Sequence, residues 1–179
     1  MPEPINPPAV PQPAPPTQIA DVAVVMAQLL DHGLRVGELV GLQVADVELD
    51  AGLLRFYRPK VDKEQTHELT PDALRALRAY VEAGDVLAAG PLIRPNDKEH
   101  GLADDALSRQ SAYRIVRRVG RRHGIDKLSP HDCRHSWATR AARKGTAAFD
   151  LRDAGGWSSL AMPSRYVEQA EIANRGVRL

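Results

Sequence analysis

Cysteine, aromatic residues and long apolar runs are all scarce in this 179-residue chain, and each scarcity removes a class of protein. The single cysteine, Cys133, excludes a disulfide framework and a cysteine-based zinc site, and it fits a reducing compartment. Aromatic residues make up only 4% of the chain, so each one needs an explanation by position. The longest apolar-rich stretch, Ile19 to Leu30, is interrupted by Asp21 and Gln28 and is too short to span a bilayer. The opening Met1-Pro2-Glu3-Pro4 lacks the basic and apolar segments of a secretory signal. The expectation is a soluble cytoplasmic protein with no membrane partner.

Hydrophobic residues at 43% and charged residues at 26% are near globular averages, which excludes wholesale disorder. The length suits one domain with a core of its own. The net charge of +1 hides an asymmetry. Residues 1–108 balance at −8, whereas residues 109–144 balance at +9, and the remainder is neutral. A block of that sign, rich in arginine, reads as a surface for a polyanion, since the planar guanidinium binds two phosphate oxygens together. A solvated helix face is the plainer reading of the same charges.

Eight of the 14 prolines fall between Pro2 and Pro16, so residues 1–17 read as an extended tail or linker. Residues 18–179 form the folded part. Apolar spacing predicts a helix from Gln18 to Leu30 and a short one through Val36–Val40. Val44–Leu49, Leu53–Tyr57 and Thr66–Leu69 read as strands, the first two joined at Asp50-Ala51-Gly52. Thr70-Pro71 and Ser129-Pro130 each supply an N-cap and a proline at the first helical position. An arginine-rich amphipathic helix is expected over Ser108–Arg122, irregular chain over residues 85–103, and short helices after residue 150. The fold class is α+β, mainly helical, with a small antiparallel sheet near the N-terminal side.

The candidate site residues are weak singly. His131 and Arg134 share a face at i and i+3 of a helix start, where free N–H groups favour an anion. Arg35 lies just after Gly33-Leu34 and precedes a helix, although it could equally be a capping or salt-bridging arginine with Glu38. Lys60 is otherwise an ordinary hairpin lysine, Trp157 a core residue and Tyr166 a core-edge tyrosine. Their order is more specific. Gly33-Leu34-Arg35-Val36-Gly37-Glu38-Leu39, the lysine after the second strand, His131-Asp132-Cys133-Arg134-His135, Gly155-Gly156-Trp157-Ser158-Ser159 and Arg165-Tyr166 occur in one succession. That succession resembles the catalytic domain of tyrosine recombinases, the phage-integrase-like family, over about residues 18–172.

The resemblance implies a site-specific DNA recombinase or integrase that cleaves and rejoins double-stranded DNA through a 3′-phosphotyrosyl intermediate. It implies Tyr166 as nucleophile and Arg35 and Arg134 as the clamp on the nonbridging oxygens. Lys60, or alternatively Lys63, would be the general acid. His131 would be the acid/base histidine, and Trp157 would stand where the family has histidine or tryptophan. Arg109, Arg114, Arg117, Arg118, Arg121 and Arg122 are the expected DNA-binding residues. Two fixed guanidiniums can stabilise the charge of the transition state without a metal, and the phosphotyrosyl bond conserves the energy for rejoining. Accordingly neither cofactor nor metal is expected.

The family's N-terminal core-binding domain is expected to be absent, with the proline-rich tail in its place. The expected partners are DNA and either further copies of the chain, as a tetramer on paired sites, or a full-length recombinase; the expected location is the nucleoid. Three alternatives remain: a type IB topoisomerase-like relaxase, a non-catalytic DNA-binding remnant, and a helical domain whose arginine face binds an acidic protein.

Overall fold

The computed structural model describes residues 16–170 apart from 85, 98–100, 103 and 104. The proline-rich tail up to residue 15 and the segment after residue 170 lie outside the described residues. Seven helices and two small sheets are present among the described residues: α1 (Pro16–Asp31), α2 (Val36–Gly41), β1 (Val47–Glu48), β2 (Leu53–Arg58), β3 (Lys63–Glu68), α3 (Pro71–Glu82), β4 (Asn96–Asp97), β5 (Gly101–Leu102), α4 (Arg109–Arg122), α5 (Pro130–Arg143), α6 (Ala148–Gly155) and α7 (Ala161–Ala170). The mainly helical α+β class stands.

Three local expectations change. Helix α1 begins at Pro16, inside the segment read as tail, because a proline costs nothing at a first helical turn. Val44–Leu49 is not one strand: residues 44–46 form a 3-10 turn and only Val47–Glu48 pair. The Asp46 carboxylate accepts from the Gln43 backbone N–H at 2.8 Å, and this local bond competes with a ladder. Residues 96–97 and 101–102 pair as a short hairpin within the stretch expected to be irregular.

The helix starts follow the sequence. Thr70 accepts from the Ala73 N–H, Ser108 from the Ser111 N–H, and Ser129 and Asp132 form a reciprocal capping box. The first sheet has the order β1-β2-β3, antiparallel throughout, with Arg58 opposite Lys63 at the turn end of the β2–β3 hairpin. Helix α1 lies across α3, α4 and α5, burying Val24, Val25 and Leu29. The main core adds Leu34, Leu39, Leu54, Phe56, Leu77 and Val116. A second, smaller cluster joins α5, α6 and α7 around Ala138, Leu151 and Tyr166. The seam between these two clusters is where the charged residues gather.

Candidate active site

Strand β2 alternates buried and exposed residues, so Leu54, Phe56 and Arg58 all point inward. An arginine therefore occupies an apolar position, with no solvent exposure at all. Its guanidinium bonds four residues. Nη1 donates to Glu38 Oε2 at 3.1 Å and to the Gly155 carbonyl at 2.8 Å, Nη2 donates to the Ala154 carbonyl at 2.8 Å, and Nε donates to Gln65. Glu38 in turn accepts from Arg35 Nη1 at 2.7 Å and from the Arg35 backbone N–H at 2.8 Å, so Arg35 caps α2 with its side chain held.

Arg35 Nη2 continues to the Gly156 carbonyl at 2.8 Å. Arg134, from the first turns of α5, donates to the Gly33 carbonyl and, at 2.6 Å, to that of Gly155. The last carbonyls of α6, Ala154 to Gly156, thus draw three guanidiniums to one point. The unsatisfied carbonyls of a helix C-terminus carry the negative end of its dipole, which explains the attraction. Gly156 adopts φ +60° to end the helix, and a side chain there would meet Arg58. Gly33, also at φ +60°, lies under the Trp137 ring.

Three arginines face a single carboxylate, and the site is largely sheltered from water. Burial, with Arg35 and Arg58 adding repulsion, lowers Arg134 to about 9. Burial lowers Arg58 to about 10, partly offset by Glu38. Both remain cations at neutral pH. The arrangement carries excess positive charge that an anion would relieve.

Trp157 stacks over Arg134, with the guanidinium carbon 4.3 Å from the ring centroid, and lies nearly parallel to Trp137 at 6.1 Å. Gly155 has to be glycine, because a Cβ would enter the Trp157 ring. Tyr166, on α7, is 6% exposed and sits 6.0 Å from Trp157, ring to ring. Its hydroxyl accepts or donates one bond among the described residues, to His135 Nδ1 at 3.0 Å. Burial raises its pKa above the ordinary 10, and the Arg134 charge opposes that.

Of the six residues singled out in the sequence, the structure brings together Arg35, Arg134, Trp157 and Tyr166. Lys60 is exposed in the turn of the β2–β3 hairpin, and Lys63 is exposed at the first position of β3, on the strand face that carries Arg58 and Gln65. His131 is exposed and makes no hydrogen bond or ion pair among the described residues. Helix α4 turns Ala112, Val116 and Gly120 inward, which leaves Arg109, Arg114, Arg117, Arg118, Arg121 and Arg122 on its exposed face. The Arg109 guanidinium lies against Gly37, two residues from Arg35. Arg58 and His135 were not singled out, and Glu38 was weighed only as a partner of Arg35. The alternation along β2 is the sequence signal that could have found Arg58.

A family-wide sequence model described as the phage integrase family matches residues 11–172. The chain belongs to the phage integrase family. It is similar to tyrosine recombinase XerA of Thermococcus kodakarensis, 29% identical over 86% of the chain and 52% of that protein. It is also similar to tyrosine recombinase XerD of Neisseria meningitidis serogroup B, 32% identical over 81% of the chain and 49% of that protein. The chain therefore spans about half the length of these relatives. In fold it resembles the crystal structure of XerA recombinase, with a TM-score of 0.70 and 23% identity over 90% of the chain and 62% of that structure. It likewise resembles a post-cleavage complex of XerH site-specific recombinase with a palindromic DNA substrate, with a TM-score of 0.73 and 21% identity over 89% of the chain and 45% of that structure. This phage integrase-family fold is the one the motif order implied. Among the described residues no helix is long and apolar enough to cross a membrane.

Proposed function

We propose that this phage integrase-family chain is a site-specific DNA recombinase that cleaves and rejoins double-stranded DNA through a 3′-phosphotyrosyl intermediate. One observation carries the reading. Arg35, Arg58 and Arg134 converge beside Tyr166 of α7 with only Glu38 to neutralise them. A scissile phosphodiester supplies the missing negative charge. Its nonbridging oxygens would accept from Arg35 and Arg134, whose guanidiniums are already oriented by the α6 carbonyls, so little reorganisation accompanies the reaction. The Trp157 indole, a donor without acceptor capacity, would add a hydrogen bond to the same phosphate.

Tyr166 Oη attacks phosphorus, the P–O5′ bond breaks, and a positioned acid protonates the departing oxygen. Lys60 from the hairpin turn is assigned that role, with Lys63 as the alternative. His131 is assigned as the acid/base histidine that, with the arginines, activates the tyrosine. No metal or cofactor enters this scheme. The exposed arginines of α4 would hold the flanking backbone, which sets register and makes affinity salt-dependent. Assembly as a tetramer on paired sites, or with a full-length recombinase, and residence with the nucleoid in the cytoplasm complete the proposal.

The test is covalent capture on nicked duplexes drawn from the DNA flanking the source gene. Wild type is expected to give an SDS-resistant protein–DNA band, and Tyr166→Phe to bind DNA without one. A band that survives in Tyr166→Phe refutes the nucleophile. DNA retention without any wild-type band would favour the reading as a DNA-binding remnant.

A further inference from the structure

Lys60 stands in the β2–β3 turn with its side chain exposed and without a hydrogen bond or ion pair among the described residues. A lysine carries a compact charge on a flexible four-carbon stem, so the backbone beneath it decides where the ammonium can reach. That backbone is held from two sides. On the inner face, Arg58 donates to the Ala154 and Gly155 carbonyls and Gln65 donates to the Asp153 carbonyl at 2.6 Å, which ties the base of the hairpin to the end of α6. On the outer face, Tyr57 is 51% exposed, and its hydroxyl donates to Asp62 Oδ1 at 2.5 Å across the turn. The turn itself closes with the Val61 N–H donating to the Arg58 carbonyl at 3.1 Å. Asp62 adopts φ +47°, the one non-glycine residue with positive φ among the described residues. Most side chains are strained there, and aspartate tolerates it because its short carboxylate can bond locally. The bond from Tyr57 also keeps that carboxylate off its neighbours, since Asp62 forms no ion pair with Lys60 or Lys63. An unheld carboxylate two residues from Lys60 would pair with its ammonium and make the proton harder to release.

We propose that Tyr57 and Asp62 are positioning residues for the general acid: their bond holds the turn so that Lys60 reaches the departing 5′ oxygen. This rests on the recombinase reading above, with Lys60 as the acid. The step concerned is departure of the leaving group. The P–O5′ bond breaks with its electron pair on O5′, and one Lys60 ammonium proton moves to that oxygen, leaving a neutral amine. In rejoining, the amine takes the proton back as the 5′ hydroxyl attacks. Tyr57 and Asp62 exchange no proton in either direction. The hydrogen bond to Asp62 holds the Tyr57 hydroxyl protonated, its pKa raised above the ordinary 10, which makes it a poorer nucleophile than a free tyrosine.

The test is single-turnover covalent capture on two nicked duplexes from the same flanking DNA, one with the ordinary 5′-bridging oxygen and one with sulfur there. A thiolate departs without protonation, so only the oxygen duplex reports on Lys60. Tyr57→Phe should slow capture of the oxygen duplex by about 10-fold, short of the loss in Lys60→Ala, and leave the sulfur duplex within about twofold of wild type. Asp62→Ala should lose as much or more. Asp62→Asn keeps an acceptor oxygen and tolerates the left-handed backbone, so it should recover most of the rate. In a Lys60→Ala background, Tyr57→Phe should add no further loss. Equal slowing on both duplexes overturns the positioning role, as does a wild-type rate in Tyr57→Phe or Asp62→Ala. A second readout needs no DNA: hydrogen exchange at the Val61 amide should speed up in Tyr57→Phe, and an unchanged exchange rate overturns the proposal. If wild type captures the oxygen duplex and Lys60→Ala matches it, the choice of Lys60 fails and the positioning role with it, while the recombinase reading stands. A wild type that captures neither duplex refutes the recombinase reading itself, and the positioning role falls with it.

Discussion

Replacing Arg58 by methionine would remove the hub that joins the hairpin, α2 and the end of α6. The side chain is wholly buried, so its loss is not softened by solvent. Breaking a buried ion pair by deleting one partner costs about 3–5 kcal/mol. Here the lower end applies, because Glu38 keeps both of its bonds from Arg35. Gly155 keeps its bond from Arg134, whereas the Ala154 carbonyl loses its arginine partner, which adds about 1 kcal/mol. The expected destabilisation is about 4 kcal/mol, a large share of the roughly 5–15 kcal/mol that holds a domain together. With an m-value near 2 kcal/mol/M, the urea midpoint should fall by about 2 M. Trp137 and Trp157 fluorescence, followed beside circular dichroism, gives the measurement. Arg58→Lys should recover only part, because an ammonium cannot span Glu38, Gln65 and two carbonyls at once. Pairing Arg58→Met with Glu38→Gln should cost at least 1 kcal/mol less than the sum of the two. A loss below about 1 kcal/mol, or strict additivity, would refute the idea that this pair organises the site.

Three further outcomes are expected. Burial, with help from Arg58 and His32, holds His67 at about 4 instead of 6.5. The unfolded chain then takes up its proton first, so stability is full above about 6.5 and falls as pH drops towards 4, by about 3 kcal/mol. Urea midpoints measured at pH 7, 5.5 and 4.5 check this, and His67→Gln should flatten the fall. Gly155→Ala should displace Trp157 from Arg134, cost about 1–3 kcal/mol, and slow covalent capture; unchanged stability and rate would count against the close packing. Lys60→Ala should slow cleavage of an ordinary phosphodiester by at least 100-fold, yet leave a substrate with a 5′-bridging sulfur, which needs no proton to depart, nearly unaffected. The same pattern in Lys63→Ala instead would move the acid to Lys63.

The element pattern was readable where local chemistry decides it. Thr70-Pro71 and Ser129-Pro130 started helices as their capping residues dictate, and the alternation of Leu53–Tyr57 held through β2. It was unreadable where one side chain diverted the backbone, as Asp46 does before β1. In the site, motif order found Arg35, Arg134, Trp157 and Tyr166. Arg58 went unread because an arginine among strand residues looks like a solvated edge, and its burial depends on carbonyls 96 residues away. His135 was taken as part of a motif with no role of its own. Its meeting with Tyr166 depends on how α7 folds back on α5, which local sequence does not encode.

The central claim is that Tyr166 itself becomes joined to DNA, and mass spectrometry of the captured complex tests it most directly. After nuclease and protease digestion, the account predicts a nucleotide attached through phosphate to Tyr166, linked to the 3′ side of the cleaved strand. An adduct on Tyr57, Tyr113 or a serine, or a nucleotide joined through its 5′ phosphate, would contradict it.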